Sequence, residues 1–321
     1  MKFRFALIVA LTAALEAVGA ATAAKAPPQT ATLKDGDLTV QVEDLSPRFL
    51  AFYEAAKRAP DADARFRIWQ DTYAFAAVPP TPAGQAMARR LVDEAWPRYA
   101  DALAAAERGA AGMTPQPMPI LRRVADLLGL EGPATIKLVT YIGGFEDNAF
   151  TYRAGVPTVA LPLETDPQVR ARSLAHEGTH AIHMIIDTLS GGWERSVAAT
   201  MLQEGLAMQV AREAVPGYPF ETYVSNRTGW WQECRAKDHL ILMELREKLA
   251  RSDSDTVMSV TIGKGPKAGV EREAYYGGWR VVDWLHGHGM SFAQIARIPE
   301  TDMPARVGMV LEGMLSEPGP G

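Results

Sequence analysis

The chain has 321 residues and a mass of 34.9 kDa; 47% of its residues are hydrophobic and 22% are charged. This length and composition are enough for one large globular core or two smaller ones. The formal net charge of −5 is small and the sequence has no basic run. We therefore expect neither nucleic acid nor an anionic membrane surface as a partner.

The first 24 residues have the features of a signal peptide. A positively charged start is followed by an apolar run from Phe5 to Val18, and small residues up to Ala24 supply cleavage sites. The run is short for a membrane span, although an uncleaved anchor is the alternative. We expect an exported protein, periplasmic or secreted, with no stable membrane anchor after cleavage.

The single cysteine, Cys234, excludes an intrachain disulfide, even though the compartment implied by a signal peptide would permit one. It is flanked by tryptophans and charged residues without a recognisable nucleophile motif. We interpret it as a buried structural thiol and not as a nucleophile.

Residues 25–45 are expected to form a tether rich in proline and alanine, followed by a short strand at Leu38–Val42. A cap residue followed by proline then predicts helix starts at Ser46 and Thr81, the latter opening a helix to about Arg108. Residues 46–130 are predicted to form an N-terminal helical subdomain. Its aromatic residues recur at helical spacing, which favours core packing over a binding surface: Phe49, Phe52, Tyr53, Phe66, Trp69, Tyr73 and Phe75.

Two β-branched, apolar segments predict a small sheet ahead of the central motif of the chain. They cover residues 135–142 and 156–163. If Val159–Leu161 lay at the sheet edge, it could hold an extended peptide through backbone hydrogen bonds. An ordinary core strand is the equally favoured alternative.

The motif H-E-x-x-H occurs at His176, Glu177 and His180. Asp166 followed by Pro167 predicts a helix start, and the helix should run to about Leu189. Histidines four apart on a helix lie on one face, so both can reach a single zinc ion. The intervening Glu177 lies beside the metal, where it can take a proton from a zinc-held water as general base.

A catalytic zinc needs a third protein ligand, and Glu204 is the best candidate. It lies on a predicted helix from about Trp193 to Ala214, whose mostly short side chains allow close packing against another helix. His183 and Glu194 are the alternatives. His183 follows His180 on the same stripe and is better interpreted as part of the cleft wall.

Four segments together resemble a family of predicted zinc-dependent bacterial proteases in the gluzincin superfamily, also described as peptidase MA-like. They are Pro162–Glu164, the H-E-G-T-H segment, Gln203–Ala207 and Ala274–Trp279. The resemblance implies a gluzincin-type fold and a zinc site made by His176, His180 and Glu204. It also implies that Tyr275, or the adjacent Tyr276, donates a hydrogen bond to the oxyanion of the reaction.

The sequence departs from the gluzincin pattern at two places. Thermolysin-like members have an aspartate four residues after the ligand glutamate, whereas this chain has Met208. Residues 144–148 only partly match the G-x-M-E-N amine-binding motif of gluzincin aminopeptidases, because the methionine is missing. We favour a turn between two strands there.

These features predict an α+β, predominantly helical protein, with a zinc metalloprotease-like catalytic domain at residues 131–315. The expected function is an exported peptidase that holds one zinc ion and hydrolyses peptides or proteins, with Glu177 as base. Two alternatives remain open: a non-catalytic zinc-containing binding protein of the same fold, and a zinc hydrolase of non-peptide amides. The oligomeric state is not encoded in any recognisable pattern.

Overall fold

The computed structural model describes residues 25–78, 81–187, 189, 195–225 and 227–316, so the predicted signal peptide lies outside the described residues. The first part of the chain runs through β1 (Gln29–Asp35), β2 (Leu38–Asp44), α1 (Ser46–Ala56), α2 (Ala62–Thr72), α3 (Pro82–Ala95), α4 (Tyr99–Arg108), α5 (Pro117–Leu127), β3 (Ala134–Tyr141), β4 (Phe150–Ala154), β5 (Val156–Pro162) and α6 (Pro167–Ile186). The second part is helical: α7 (Val197–Ala214), α8 (Glu221–Val224), α9 (Trp230–Ala236), α10 (Asp238–Arg246), α11 (Ser254–Thr261), α12 (Glu273–Gly287), α13 (Phe292–Ile295) and α14 (Met303–Ser316). The predicted α+β class is confirmed.

The chain divides into two compact units. Among the described residues, the first lies within 25–122 and 132–177, and the second within 123–131 and 178–316. The first unit contains the sheet together with the N-terminal helices, and the second is built from helices. Across the described residues, no helix has the length and apolar character needed to cross a membrane.

The sheet of the first unit is mixed and has the strand order β1-β2-β3-β5-β4. β2, β3 and β5 run parallel, and the outer strands β1 and β4 are antiparallel to their neighbours. The proposal that Val159–Leu161 forms an edge strand is wrong, because β5 is paired on both sides and these three residues are fully buried. The edge strand next to it is β4, which the sequence analysis did not predict.

Most predicted elements are present, with boundaries set by local chemistry. The strand expected at Leu38–Val42 is β2, but residues 29–32 of the expected tether belong to β1. The long helix expected after Thr81 is divided into α3 and α4 by a 3₁₀ turn at Trp96–Arg98. Pro97 lacks an N–H group and so cannot continue the α-helical hydrogen bonds.

The predicted aromatic core of the N-terminal helices is present in the first unit. Phe49 and Phe52 are fully buried, and the Phe49 ring packs edge-to-face against Tyr99 with centroids 5.1 Å apart. The Tyr73 hydroxyl donates to the Ile142 carbonyl at 2.7 Å and accepts from the Ile142 N–H at 2.9 Å. This pair fixes the end of α2 to the end of β3.

In the second unit, α7 and α12 pack with their backbones in contact. A Cβ atom on Gly205 would lie far closer than 3.0 Å to the Gly278 carbonyl, and one on Gly278 equally close to the Met201 carbonyl. The Gln209 side chain adds a hydrogen bond to the Trp279 carbonyl at 3.0 Å. Only glycine permits this approach, so the contact fixes the register of α7 against α12.

Glu273, at the start of α12, is a buried acid. Its exposed fraction is 0%, and neither carboxyl oxygen has a hydrogen-bond partner of normal geometry among the described residues. Burial, and then the charge of Glu244, raises the pKa of the Glu273 carboxyl from 4.5 to about 7. The folded chain therefore holds this proton more tightly than the unfolded chain. The resulting stability is complete below pH 4.5 and is lost as the pH rises through about 7.

We predict that Glu273→Gln stabilises the protein above pH 7 by about 1–3 kcal/mol, because a neutral amide of the same shape removes the cost of burying the charge. Denaturant unfolding at pH 5 and pH 8 measures the effect, and the gain should be much smaller at pH 5. Glu244→Gln is a useful comparison, although it also removes a charge that raises the Glu273 pKa. Glu244 accepts from the backbone N–H groups of Lys267 and Ala268, so its replacement should destabilise the fold at both pH values.

Candidate metal centre

The predicted motif helix is α6, and its start follows the expected capping chemistry. The Asp166 carboxylate accepts the N–H of Gln168 at 2.8 Å, and Pro167 occupies the first helical position. The helix is continuous through His176, Glu177 and His180. The motif therefore lies in the helical conformation that its ligand spacing requires.

The structure brings together the three residues predicted as metal ligands. His176 and His180 on α6 and Glu204 on α7 each offer one ligand atom, and these atoms lie within 4.8 Å of one another. His180 Nε2 and Glu204 Oε2 are 3.4 Å apart, and both side chains are at most 5% exposed. Two ligands of one tetrahedral zinc, each bound at about 2.1 Å, are separated by roughly 3.4 Å. The donor set and its spacing fit a divalent cation.

The second oxygen of Glu204 is held by Arg195. Its guanidinium Nη2 donates to Glu204 Oε1 at 3.0 Å, so one carboxylate oxygen faces the arginine and the other faces His180. The same guanidinium donates to Gln203 Oε1 at 2.6 Å and to Thr200 Oγ1 at 3.1 Å. This fork fixes the Glu204 carboxylate without occupying the oxygen turned towards the histidine.

The candidate base Glu177 is fixed by the edge strand of the sheet. Thr151 on β4 places its hydroxyl 2.8 Å from Glu177 Oε2 and 2.8 Å from the Glu177 backbone carbonyl. Thr151 is 1% exposed and Glu177 is 8% exposed. The Thr151 hydroxyl thus orients the Glu177 carboxylate in a largely buried environment, as a positioned base requires.

The two tyrosines of α12 differ in what their side chains do. The Tyr276 hydroxyl donates to the Asp238 carboxylate at 2.5 Å, and Arg280 is bonded to the same two groups. Burial, and then this hydrogen bond, raises the pKa of Tyr276 well above its ordinary value. The Tyr275 ring is 3.8 Å from the Arg272 guanidinium. The Tyr276 hydroxyl is therefore committed to Asp238, and the oxyanion role expected of Tyr275 stays a prediction.

Of the two alternative third ligands, His183 is described and is not a member of the three-residue cluster. His183 is fully buried, and burial, followed by the charge of His180, lowers its pKa to about 3. Glu194 lies outside the described residues. Cys234 is also buried, and burial raises the pKa of its thiol to about 12, which agrees with a structural role.

Comparison with protein-family models, curated proteins and solved structures finds no match to the chain. The resemblance to gluzincin proteases therefore rests on the quoted motifs alone. The predicted zinc, peptidase activity and exported location stay predictions.

Sequence reasoning missed Thr151 and Arg195. Thr151 belongs to a strand that the residue pattern did not predict, and no motif links a lone threonine to Glu177, which is 26 positions later. Arg195 precedes the helix cap Ser196, where an arginine is unremarkable in a sequence. The only available signal for Arg195 was that it lies 9 positions before Glu204, a candidate acidic ligand.

Proposed function

We propose that this protein is a zinc-dependent peptidase, with His176, His180 and Glu204 as the ligands and Glu177 as the general base. The observation that carries the proposal is the cluster itself. Two imidazoles and a carboxylate from two helices converge within 4.8 Å, and an acid follows the first histidine directly in sequence. Three protein ligands leave a tetrahedral ion one position for water or substrate, as in catalytic zinc sites.

The chemistry of the donor set favours zinc. Neutral imidazole nitrogen and carboxylate oxygen suit zinc, whereas magnesium and calcium prefer sites made of oxygen ligands alone. A zinc ion held here would lower the pKa of a water towards about 7 and polarise a substrate carbonyl. The Arg195 guanidinium supports this role by keeping Glu204 in one orientation.

Glu177 supplies the proton transfers. Its carboxylate takes a proton from the water that attacks the scissile carbonyl, and the same group then delivers that proton to the leaving amine. Thr151 holds the carboxylate in place during both steps. Tyr275 is our candidate for a hydrogen bond to the developing oxyanion, and such a donor typically lowers the barrier by about 3 kcal/mol.

The edge strand β4 offers a place for an extended substrate. Within the described chain its only strand neighbour is β5, and the residues at its end, Arg153 and Ala154, are exposed. Its Thr151 contacts Glu177, which puts β4 next to the proposed base. A peptide added to this edge would be held by its backbone, which does not depend on its side chains.

Metal analysis and peptide hydrolysis on the same preparation test the proposal. The purified wild-type chain should contain about one zinc per molecule and cleave casein or a quenched peptide library. His180→Ala should lose most of the zinc and the hydrolysis, since a ligand is removed from the cluster. A wild-type protein that holds zinc but hydrolyses neither peptides nor other amides would indicate a binding protein instead. A protein that takes up no zinc would overturn the proposal.

We predict that Thr151→Val lowers kcat about tenfold while KM and zinc content remain near the wild-type values. Valine keeps the shape of threonine but cannot donate to the Glu177 carboxylate. Thr151→Ser, which restores a hydroxyl, is the matched control and should recover most of the rate. If the valine variant loses zinc, or if serine fails to rescue, Thr151 has a structural role only.

A further inference from the structure

The first unit contains a small cavity that shares no residue with the metal cluster. It lies where β3 and β5 end, and aromatic rings form much of its wall: Trp69, Phe75, Tyr99 and Tyr141. The cavity volume is about 20 Å³, which is room for the centre of a single water-sized group. Three of its lining residues, Gly143, Gly144 and Glu146, are half-buried, so this wall of the cavity lies near the protein surface.

One carboxyl group in this cavity has hydrogen-bond donors at only one of its two oxygens. Glu164 follows β5, and its Oε1 accepts the N–H groups of Gly143 at 2.9 Å and Phe145 at 3.3 Å. Its Oε2 is buried and has no hydrogen-bond partner within the described residues. Gly143 permits the close approach, because a Cβ atom there would lie 2.9 Å from Oε1. The second oxygen therefore lacks a donor in a site otherwise built to hold the group.

The electrostatics of the cavity favour a positive ligand. Burial raises the pKa of the Glu164 carboxyl to about 7 in spite of the backbone N–H groups of Gly143, Phe145 and Glu164 itself, which lower it, and the charge of Asp147 adds to the shift. Burial, and then the charges of Glu164 and Glu146, raises the pKa of Tyr99 and Tyr141. No lysine or arginine lines the cavity among the described residues. The Glu164 charge does act on Arg170, but that guanidinium donates to the backbone carbonyls of Leu163 and Thr165 and does not line the cavity.

We propose that this cavity binds the primary ammonium group of a small ligand, with the ammonium donating to Glu164 Oε2 between the aromatic rings. An ammonium group is about as large as a water molecule and supplies the donor and the charge that Glu164 lacks. The rings add attraction for a cation through their faces. A guanidinium or a quaternary ammonium group carries the same charge but is too large for the cavity. The proposal does not depend on zinc or on peptidase activity.

Binding of three cations to the full chain tests this inference by calorimetry at constant ionic strength. Propylammonium should bind saturably, and guanidinium and tetramethylammonium should bind at least tenfold more weakly. Glu164→Gln should weaken propylammonium binding at least tenfold, because the amide has no charge to pair with the ammonium. The matched control, Asp101→Asn on the exposed side of α4, should bind as the wild type does.

A second variant keeps the test decisive if Glu164→Gln does not fold. Ala76→Val adds two methyl groups to the cavity wall and should also weaken propylammonium binding at least tenfold. The inference is overturned if propylammonium shows no saturable binding up to about 10 mM. It is equally overturned if the two larger cations bind as well as propylammonium, or if Glu164→Gln folds and binds propylammonium unchanged.

Discussion

Replacing Glu177 with glutamine is expected to abolish peptide hydrolysis while leaving the metal in place. Glutamine keeps the size and helical position of the residue, but its neutral amide cannot accept a proton from water. Positioned general bases contribute factors of about 10² to 10⁴, and this base would serve two proton transfers, so we expect a loss of about 10³-fold or more in kcat. His176, His180 and Glu204 are unchanged, so zinc content should stay near one per chain.

Zinc analysis and a quenched peptide assay on one preparation of the Glu177→Gln variant measure both expectations. Glu213→Gln is the matched control, since it makes the same chemical change at an exposed position of α7. It should retain both zinc and the wild-type rate. If Glu177→Gln hydrolyses peptides at the wild-type rate, Glu177 is not the base. If it loses the metal, its part in the site is structural.

The local parts of this site could be predicted from the sequence because short-range chemistry determines them. Asp166 and Pro167 specify where α6 begins, and helical periodicity then places His176 and His180 on one face. The prediction of Glu204 as the third ligand needed one further inference. The short residues around it favour close packing, and Gly205 does lie against α12.

The parts that could not be predicted depend on pairing between distant segments. β4 comprises five residues that follow a stretch with glycine, aspartate and asparagine, and it forms a strand through its pairing with β5. Missing β4 led to the wrong edge strand and hid the contact between Thr151 and Glu177. The turn predicted at residues 144–148 corresponds to a bend at residues 144–146, which lies between β3 and β4.

Glu164 illustrates a different limit of sequence reasoning. The segment Pro162–Glu164 was noted for its resemblance to a protease family, but nothing in the pattern indicated a buried acid. Its environment is created by Gly143 and Phe145, about twenty positions earlier, and by aromatic residues of the N-terminal helices. The sequence correctly indicated that these aromatics are mostly core. The cavity among them is a property of packing, which single-sequence patterns do not report.

Gly205→Ala is expected to destabilise the protein by about 3 kcal/mol or more, the largest stability effect that we predict. The added methyl group would meet the backbone carbonyl of Gly278, and neither helix backbone can move aside without disturbing its other contacts. Alanine normally favours a helix over glycine by up to about 1 kcal/mol, so the expected sign is opposite to the intrinsic propensity. Denaturant unfolding with the slope held constant measures the difference.

Gly287→Ala is the matched control on α12. A Cβ atom there has no neighbour within 4 Å among the described residues, so alanine should be neutral or slightly stabilising. Gly278→Ala, which meets the Met201 carbonyl from the opposite helix, should resemble Gly205→Ala. Because α7 also carries Glu204, a shift of this helix should weaken zinc binding as well as stability. An unchanged midpoint for both the Gly205 and the Gly278 variants would contradict the backbone contact between α7 and α12.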